Sequence, residues 1–156
     1  GDPTQAGACL AAFRAPTPAL AAGPALADAG ATSMMDVSDG LLRDAGRIAQ
    51  ASGVVIDLDD PGDLPDMSFL EPVAGGEGAT ARALARTWLL TGGEDHGMLA
   101  TVPAAPSAPL PADVSVIGRV LDPQAPSARA LGHRPGVLLG GEPVQERTGW
   151  DHFARV

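Results

Sequence analysis

Asp36-Val37-Ser38-Asp39-Gly40 sets two carboxylates three residues apart, the first spacing along this chain that can do chemistry. The motif falls where a short apolar run, residues 33–37, gives way to helical spacing. Leu41, Leu42, Ala45, Ile48 and Ala49 recur on one side, with Arg43, Asp44, Arg47 and Gln50 opposite. A strand end running into a helix start is where open α/β sheets hold their ligands. Two carboxylates there can converge on one hard cation, leaving Ser38 and the helix N–H groups for phosphate oxygens. The same residues also suit plain capping, with Ser38 as N-cap and Asp39 in the first turn, where the helix dipole favours an anion. A second candidate is Gly92-Gly93-Glu94-Asp95, in which paired glycines admit a close backbone approach and two carboxylates follow. An acidic turn is its plainer reading. Trp150, in Gly149-Trp150-Asp151-His152-Phe153, is a third, although packing on a sheet is the commoner fate of such a residue.

Other patterns fail on inspection. Asp57-Leu58-Asp59-Asp60-Pro61-Gly62 begins like a calcium loop, but Pro61 and Ser68 stand where ligands are required. Gly76-Glu77-Gly78 lacks the preceding strand of a dinucleotide fingerprint. Residues 36–40 are not a nucleophile elbow, which needs Gly where Asp36 stands. His96, His133 and His152 have no metal-binding spacing, and the single Cys9 excludes an internal disulfide.

The elements that must position these residues can be sketched from periodicity and punctuation. Residues 4–14 and 18–29 read as two short helices. Residues 33–37 suit a buried strand, and the helix from Ser38 stops at Gly53. A strand over 54–58 then completes a strand–helix–strand unit. Residues 59–77, rich in Asp, Pro and Gly, read as loop, and 78–86 as a short helix. Strands are expected over 98–102 and 114–120, with loops over 103–111 and 122–135. A hairpin of 137–139 and 142–145 would turn at Gly140-Gly141.

The chain has 156 residues, a size that suits one domain. Much of its 45% hydrophobic content is Ala, and it has three Phe, two Trp and no Tyr. The core must therefore be built from thin side chains in close contact. A net charge of −9 argues against unspecific binding to nucleic acid or to an anionic membrane. Arg without Lys, beside so much Ala, Gly and Pro, reads as a coding bias. No apolar run approaches the roughly 18 residues of a membrane helix, and no signal-peptide pattern opens the chain. A reducing cytoplasm is the expectation. Gly1 in place of Met suggests a piece processed or excised from something longer.

Met35-Asp36-Val37-Ser38-Asp39-Gly40-Leu41, Leu90-Thr91-Gly92-Gly93-Glu94-Asp95, Ile117-Gly118-Arg119-Val120 and Gly149-Trp150-Asp151-His152-Phe153 stand in the order and spacing of thiamine-monophosphate kinase. The chain resembles the C-terminal half of that family over 33–156, and more loosely over 1–32. The family belongs to a superfamily of ATP users that includes aminoimidazole ribonucleotide synthetase, a hydrogenase maturation factor and selenophosphate synthetase. The resemblance implies an α+β fold, a layered α/β/α domain with a mixed sheet, as one domain over 1–156. It implies in-line phosphorylation of thiamine phosphate to thiamine diphosphate by ATP with Mg²⁺. Asp36 and Asp39 would then be magnesium ligands, Ser38 an ATP contact, and Glu94 and Trp150 contacts to thiamine phosphate, with no general base. It also implies an N-terminal half carrying the interface of a homodimer and most ATP and magnesium ligands, so that this piece alone would be inactive. The sequence departs from the family at His96 and Gly97, where Tyr and Glu are usual. The alternatives are another ATP user of the superfamily, or a non-catalytic binding domain if the piece is itself the natural product.

Overall fold

Val55–Leu58, strand β2, organises the fold, because every one of its four residues is buried. The structure, a computed structural model, describes residues 3–75, 78–93 and 96–144. Helices α1 (Pro3–Arg14) and α2 (Ala22–Asp28) precede β1 (Ser33–Val37), α3 (Leu41–Ser52) and β2. Helices α4 (Pro65–Ala74) and α5 (Ala79–Thr91) follow, then β3 (Gly97–Thr101), β4 (Gly118–Leu121), β5 (Gly136–Leu139) and β6 (Glu142–Pro143). The main sheet runs β4-β2-β5-β6, with β2 antiparallel to β4 and parallel to β5. It is a mixed sheet in an α+β fold, as expected. Among the described residues no helix is long and apolar enough to cross a membrane.

The two faces of β2 divide the core. Ile56 and Leu58 meet Leu42, Ala45, Ile48 and Ala49 of α3, Leu90 of α5 and Leu99 of β3. Val55 meets Ala128 and Leu138, with Leu121 and Leu131 packed against them. Helix α3 ends as the glycine predicts: Gly53 takes φ 67°, and the Val54 amide donates back to the Ala49 carbonyl at 3.0 Å.

Several expectations are corrected. Strand β1 does not share a sheet with β2 but pairs antiparallel with β3, in a separate two-stranded sheet. Nor is β1 buried throughout: Met34 and Asp36 are exposed, while Met35 and Val37 lean on the core. Only one of its faces has a core to cover. The stretch 59–77 holds α4 as well as loop, since Pro65 suits a first helical turn and buried Met67 anchors it. Helix α5 runs on past 86 to Thr91. Buried Leu90 holds its last turn, and Thr87 and Thr91 hydroxyls donate to the carbonyls of Ala83 and Thr87. Strand β4 begins only at Gly118 because β2 offers four partners, leaving Val116 exposed. Within 122–135, Pro126–Leu131 winds into a short 3-10 turn. The hairpin forms between β5 and β6, with Gly140 at φ 60° and Gly141 at φ 84°, the left-handed pair that a two-residue turn requires.

One buried charge ties this sheet together. Asp57, 2% exposed on β2, accepts from Nη2 of Arg119, its cross-strand partner on β4, at 2.6 Å. Its other oxygen accepts the Gly141 amide in the hairpin turn at 2.8 Å. Arg119→Ala strands that carboxylate in the core, so chemical denaturation should show a loss of roughly 3 kcal/mol, far above the norm for an exposed arginine. Adding Asp57→Asn to that variant should recover part of the loss. A loss below about 0.5 kcal/mol would show that the pair does not hold the sheet.

Candidate functional site

The first two candidate motifs meet through their backbones. Gly40, at φ 111°, lies so close to α5 that a Cβ on it would stand 2.8 Å from the Thr91 carbonyl oxygen. A Cβ on Gly93 would fall onto the Ser38 carbonyl oxygen and within 3.3 Å of Asp39 Cα. No side chain fits at either point. The segment that leads into Glu94 and Asp95 is thus laid against the segment that carries Asp36, Ser38 and Asp39.

Capping here does not follow the expected pattern. Helix α3 begins at Leu41 with Gly40 at its N-cap, and no side chain caps it. Asp44 reaches back instead: its Oδ2 accepts the Ser38 amide at 2.9 Å and the Asp39 amide at 3.0 Å. Asp44 is fully buried, not part of the solvent face where helical spacing sets it. Those two amides are therefore engaged by a carboxylate and do not lie open to phosphate. Ser38 is half-buried beside them.

The carboxylates differ in their surroundings. Asp36, on the outer face of β1, is exposed, with His96 Nδ1 3.6 Å from its Oδ2, an ion pair whenever the imidazole is protonated. His96 itself takes φ 52°, unusual for a residue with a Cβ, immediately before β3. Asp39 is largely buried and faces cations of the helix that follows it, Arg47 Nη2 in hydrogen-bond contact and Arg43 Nε at 3.9 Å. Arg47 Nη1 also donates to Asp44 Oδ1 at 2.5 Å. The bond to Asp39 is the main force holding the Arg47 guanidinium above its ordinary range; desolvation opposes it and the bond to Asp44 adds to it. Asp44, Arg47 and His96 are the site residues that the motifs did not single out. An acid five residues after Asp39, followed three later by an arginine, was the available signal.

Among the described residues no three His, Cys, Asp or Glu side chains gather as a metal cluster. Mg²⁺ asks for less, since one or two carboxylates hold it beside waters and substrate phosphates. The exposed, all-oxygen Asp36 fits that donor set; Asp39 fits it once its guanidinium partners yield. Glu94 and Trp150, the expected contacts to thiamine phosphate, lie outside the described residues. A cavity of about 560 Å³ between the two sheets, lined by Ile48, Ile56, Leu58, Leu99 and Ile117 among others, includes none of Asp36, Ser38 and Asp39 among its described lining residues.

No protein-family model matches the chain. It is similar to the protein named thiamine-monophosphate kinase in Mycobacterium tuberculosis, 39% identical over 138 residues, which is 88% of this chain and 36% of that one. It is 35% identical over 144 residues to the protein of the same name in Escherichia coli, covering 89% of this chain and 40% of that one. The chain thus spans little more than a third of the length of the curated relatives it matches. Among solved structures it is similar to AaThiL complexed with AMPPCP and TMP, at 30% identity and TM-score 0.52 over 79% of this chain and 34% of that one. A structure of thiamine monophosphate kinase from Aquifex aeolicus matches at 29% identity and TM-score 0.50, covering 74% of this chain and 34% of that one.

The close approach of the two loops has a direct consequence. Gly40→Ala and Gly93→Ala should each lower unfolding free energy by about 1–3 kcal/mol, since backbone must move to admit the methyl group. Gly46→Ala, inside α3 with its nearest neighbour at an ordinary 3.9 Å, should stabilise instead, by about 0.5–1 kcal/mol. Urea denaturation of the three variants decides it, and a Gly93→Ala as benign as Gly46→Ala would contradict the contact.

Proposed function

We propose that this chain, a member of the thiamine-monophosphate kinase family over its matched residues, supplies one wall of a site that transfers the γ-phosphoryl group of ATP to thiamine phosphate, giving thiamine diphosphate. The observation that carries this reading is the backbone contact of Gly93 with Ser38, which brings the Asp36 and Asp39 segment and the start of the Glu94 segment to one place. The ligands of the similar AaThiL complex, AMPPCP and TMP, support the same pair of substrates here.

The chemistry suits a site without a general base. The second pKa of a phosphate monoester is about 6, so the attacking oxygen of thiamine phosphate is already anionic at neutral pH. What remains is to bring two polyanions into line and to stabilise a loose, charge-spread transition state. Asp36 and Asp39 would hold Mg²⁺, which when bound neutralises charge between the two phosphates. Ser38 contacts ATP. Glu94 and Trp150 contact thiamine phosphate, the indole face attracting the cationic thiazolium and stacking on the aminopyrimidine. The rest of the nucleotide site and the interface of a homodimer belong to an N-terminal half, and the protein works in the cytoplasm.

The test is an assay of thiamine diphosphate formation from ATP, Mg²⁺ and thiamine phosphate. The complete protein carrying these residues should turn over and the 156-residue chain alone should not. In the complete protein, Asp36→Asn or Asp39→Asn should cut kcat strongly and raise the Mg²⁺ requirement, because a neutral amide binds a hard cation poorly. Trp150→Ala should raise KM for thiamine phosphate by about tenfold with KM for ATP little changed. Variants at Asp36 and Asp39 that melt lower yet turn over normally would reduce both residues to structural roles.

A further inference from the structure

Arg47 bridges the two acids of this junction. Its Nη1 donates to Asp44 Oδ1 at 2.5 Å while its Nη2 donates to Asp39 Oδ2. The two acids are held very differently. Asp44 is fully buried, and its other oxygen is committed to the amides of Ser38 and Asp39 at 2.9 and 3.0 Å. It is fixed to the backbone and cannot follow a moving partner. Arg47 is the exposed member: its side chain is 45% exposed and reaches Asp39 on a long aliphatic stem. Arg43 adds a second guanidinium near the same Asp39 oxygen, with Nε at 3.9 Å.

A carboxylate that is to face a divalent cation is thus matched beforehand by cations of the adjoining helix α3. A guanidinium on Asp39 Oδ2 and a metal ion on the same carboxylate repel each other, so the two compete for Asp39. Without the metal, Arg47 offsets the charge of a largely buried Asp39. An arginine can relieve that state without blocking metal entry, since it can give up one donor and keep the other. The planar fork makes this division possible, and a lysine ammonium has no equivalent.

We infer that Arg47 is a resident counter-cation of Asp39 that a divalent metal displaces, and that Asp44 is the positioning residue to which Arg47 stays tethered when displaced. This rests on the reading of Asp39 as a magnesium ligand. It adds that metal affinity at Asp39 is set partly by competition within the chain.

The experiment is a Mn²⁺ titration of the complete protein without nucleotide, read from the electron paramagnetic resonance of free Mn²⁺. Arg47→Gln should bind Mn²⁺ about threefold more tightly, the factor expected for removing one partly exposed ion pair. Asp39→Asn should instead weaken Mn²⁺ binding, because it takes one carboxylate from the set. In the unmutated protein, the ¹⁵N resonance of the Arg47 guanidinium should shift on adding Mg²⁺, and Asp39→Asn should abolish the shift. A merely structural Arg47 predicts lower thermal stability with no gain in affinity. If Arg47→Gln binds Mn²⁺ no more tightly while Asp39→Asn weakens the binding, the metal stays at Asp39 and the counter-cation is overturned. An Arg47 resonance indifferent to Mg²⁺ overturns it too, however the variants fold. If Asp39→Asn leaves Mn²⁺ binding intact, the metal is not at Asp39 and both readings fall.

Discussion

Two loop backbones run in contact at Gly40 and Gly93, and the arrangement of the candidate site depends on that contact. At each point a Cβ would meet a carbonyl oxygen of the opposite segment, Thr91 in one case and Ser38 in the other. Backbone atoms cannot rotate away as a side chain can, so glycine is the residue that permits the approach. The contact couples the end of α5 to the start of α3. Buried Leu90 and Leu42 anchor those two helices in one core cluster with Ile56 and Leu58 of the central strand. A hydrophobic core of modest side chains thereby fixes the separation of two polar segments that have little apolar surface of their own.

Two buried carboxylates then do locally what the core cannot. Asp44 gathers the amides of Ser38 and Asp39 and one arm of Arg47. Asp57 gathers the hairpin amide of Gly141 and one arm of Arg119. Each replaces several weak local preferences with charge-assisted hydrogen bonds, which are roughly twice as strong as neutral ones. In both places the cation is an arginine, in a chain without lysine. Whatever the origin of that composition, the guanidinium of Arg47 divides its donors between two acids, which is how Asp39 is paired while Asp44 stays fixed.

The sequence made legible what depends on periodicity and on single-residue punctuation. The apolar spacing of Leu42, Ala45, Ile48 and Ala49, the Gly53 stop and the Gly140-Gly141 turn all lie where those signals set them. The four motifs of residues 35–41, 90–95, 117–120 and 149–153 pointed to the family that the relatives share. Helix α4 was hidden because Asp, Pro and Gly around it read as loop, while the burial of Met67 that holds it is a tertiary fact. The partnering of β1 with β3 was hidden for the same reason, since sheet membership is decided by long-range pairing. Helical spacing sets Asp44 on the polar face, whereas the structure buries it. The unpaired amides before the helix, which draw it inward, can be counted only when the turn is seen.

Asp36 and Asp39 are proposed to face one cation at the seam between these two segments. The most direct measurement is a crystal structure of the complete protein with Mg²⁺, AMPPCP and thiamine phosphate. A carboxylate oxygen of each residue should lie about 2.0–2.1 Å from a magnesium ion that also meets a nucleotide phosphate. Arg47 should then have left Asp39 while keeping Asp44. Magnesium bound wholly by other residues, with Arg47 still on Asp39, would contradict the claim.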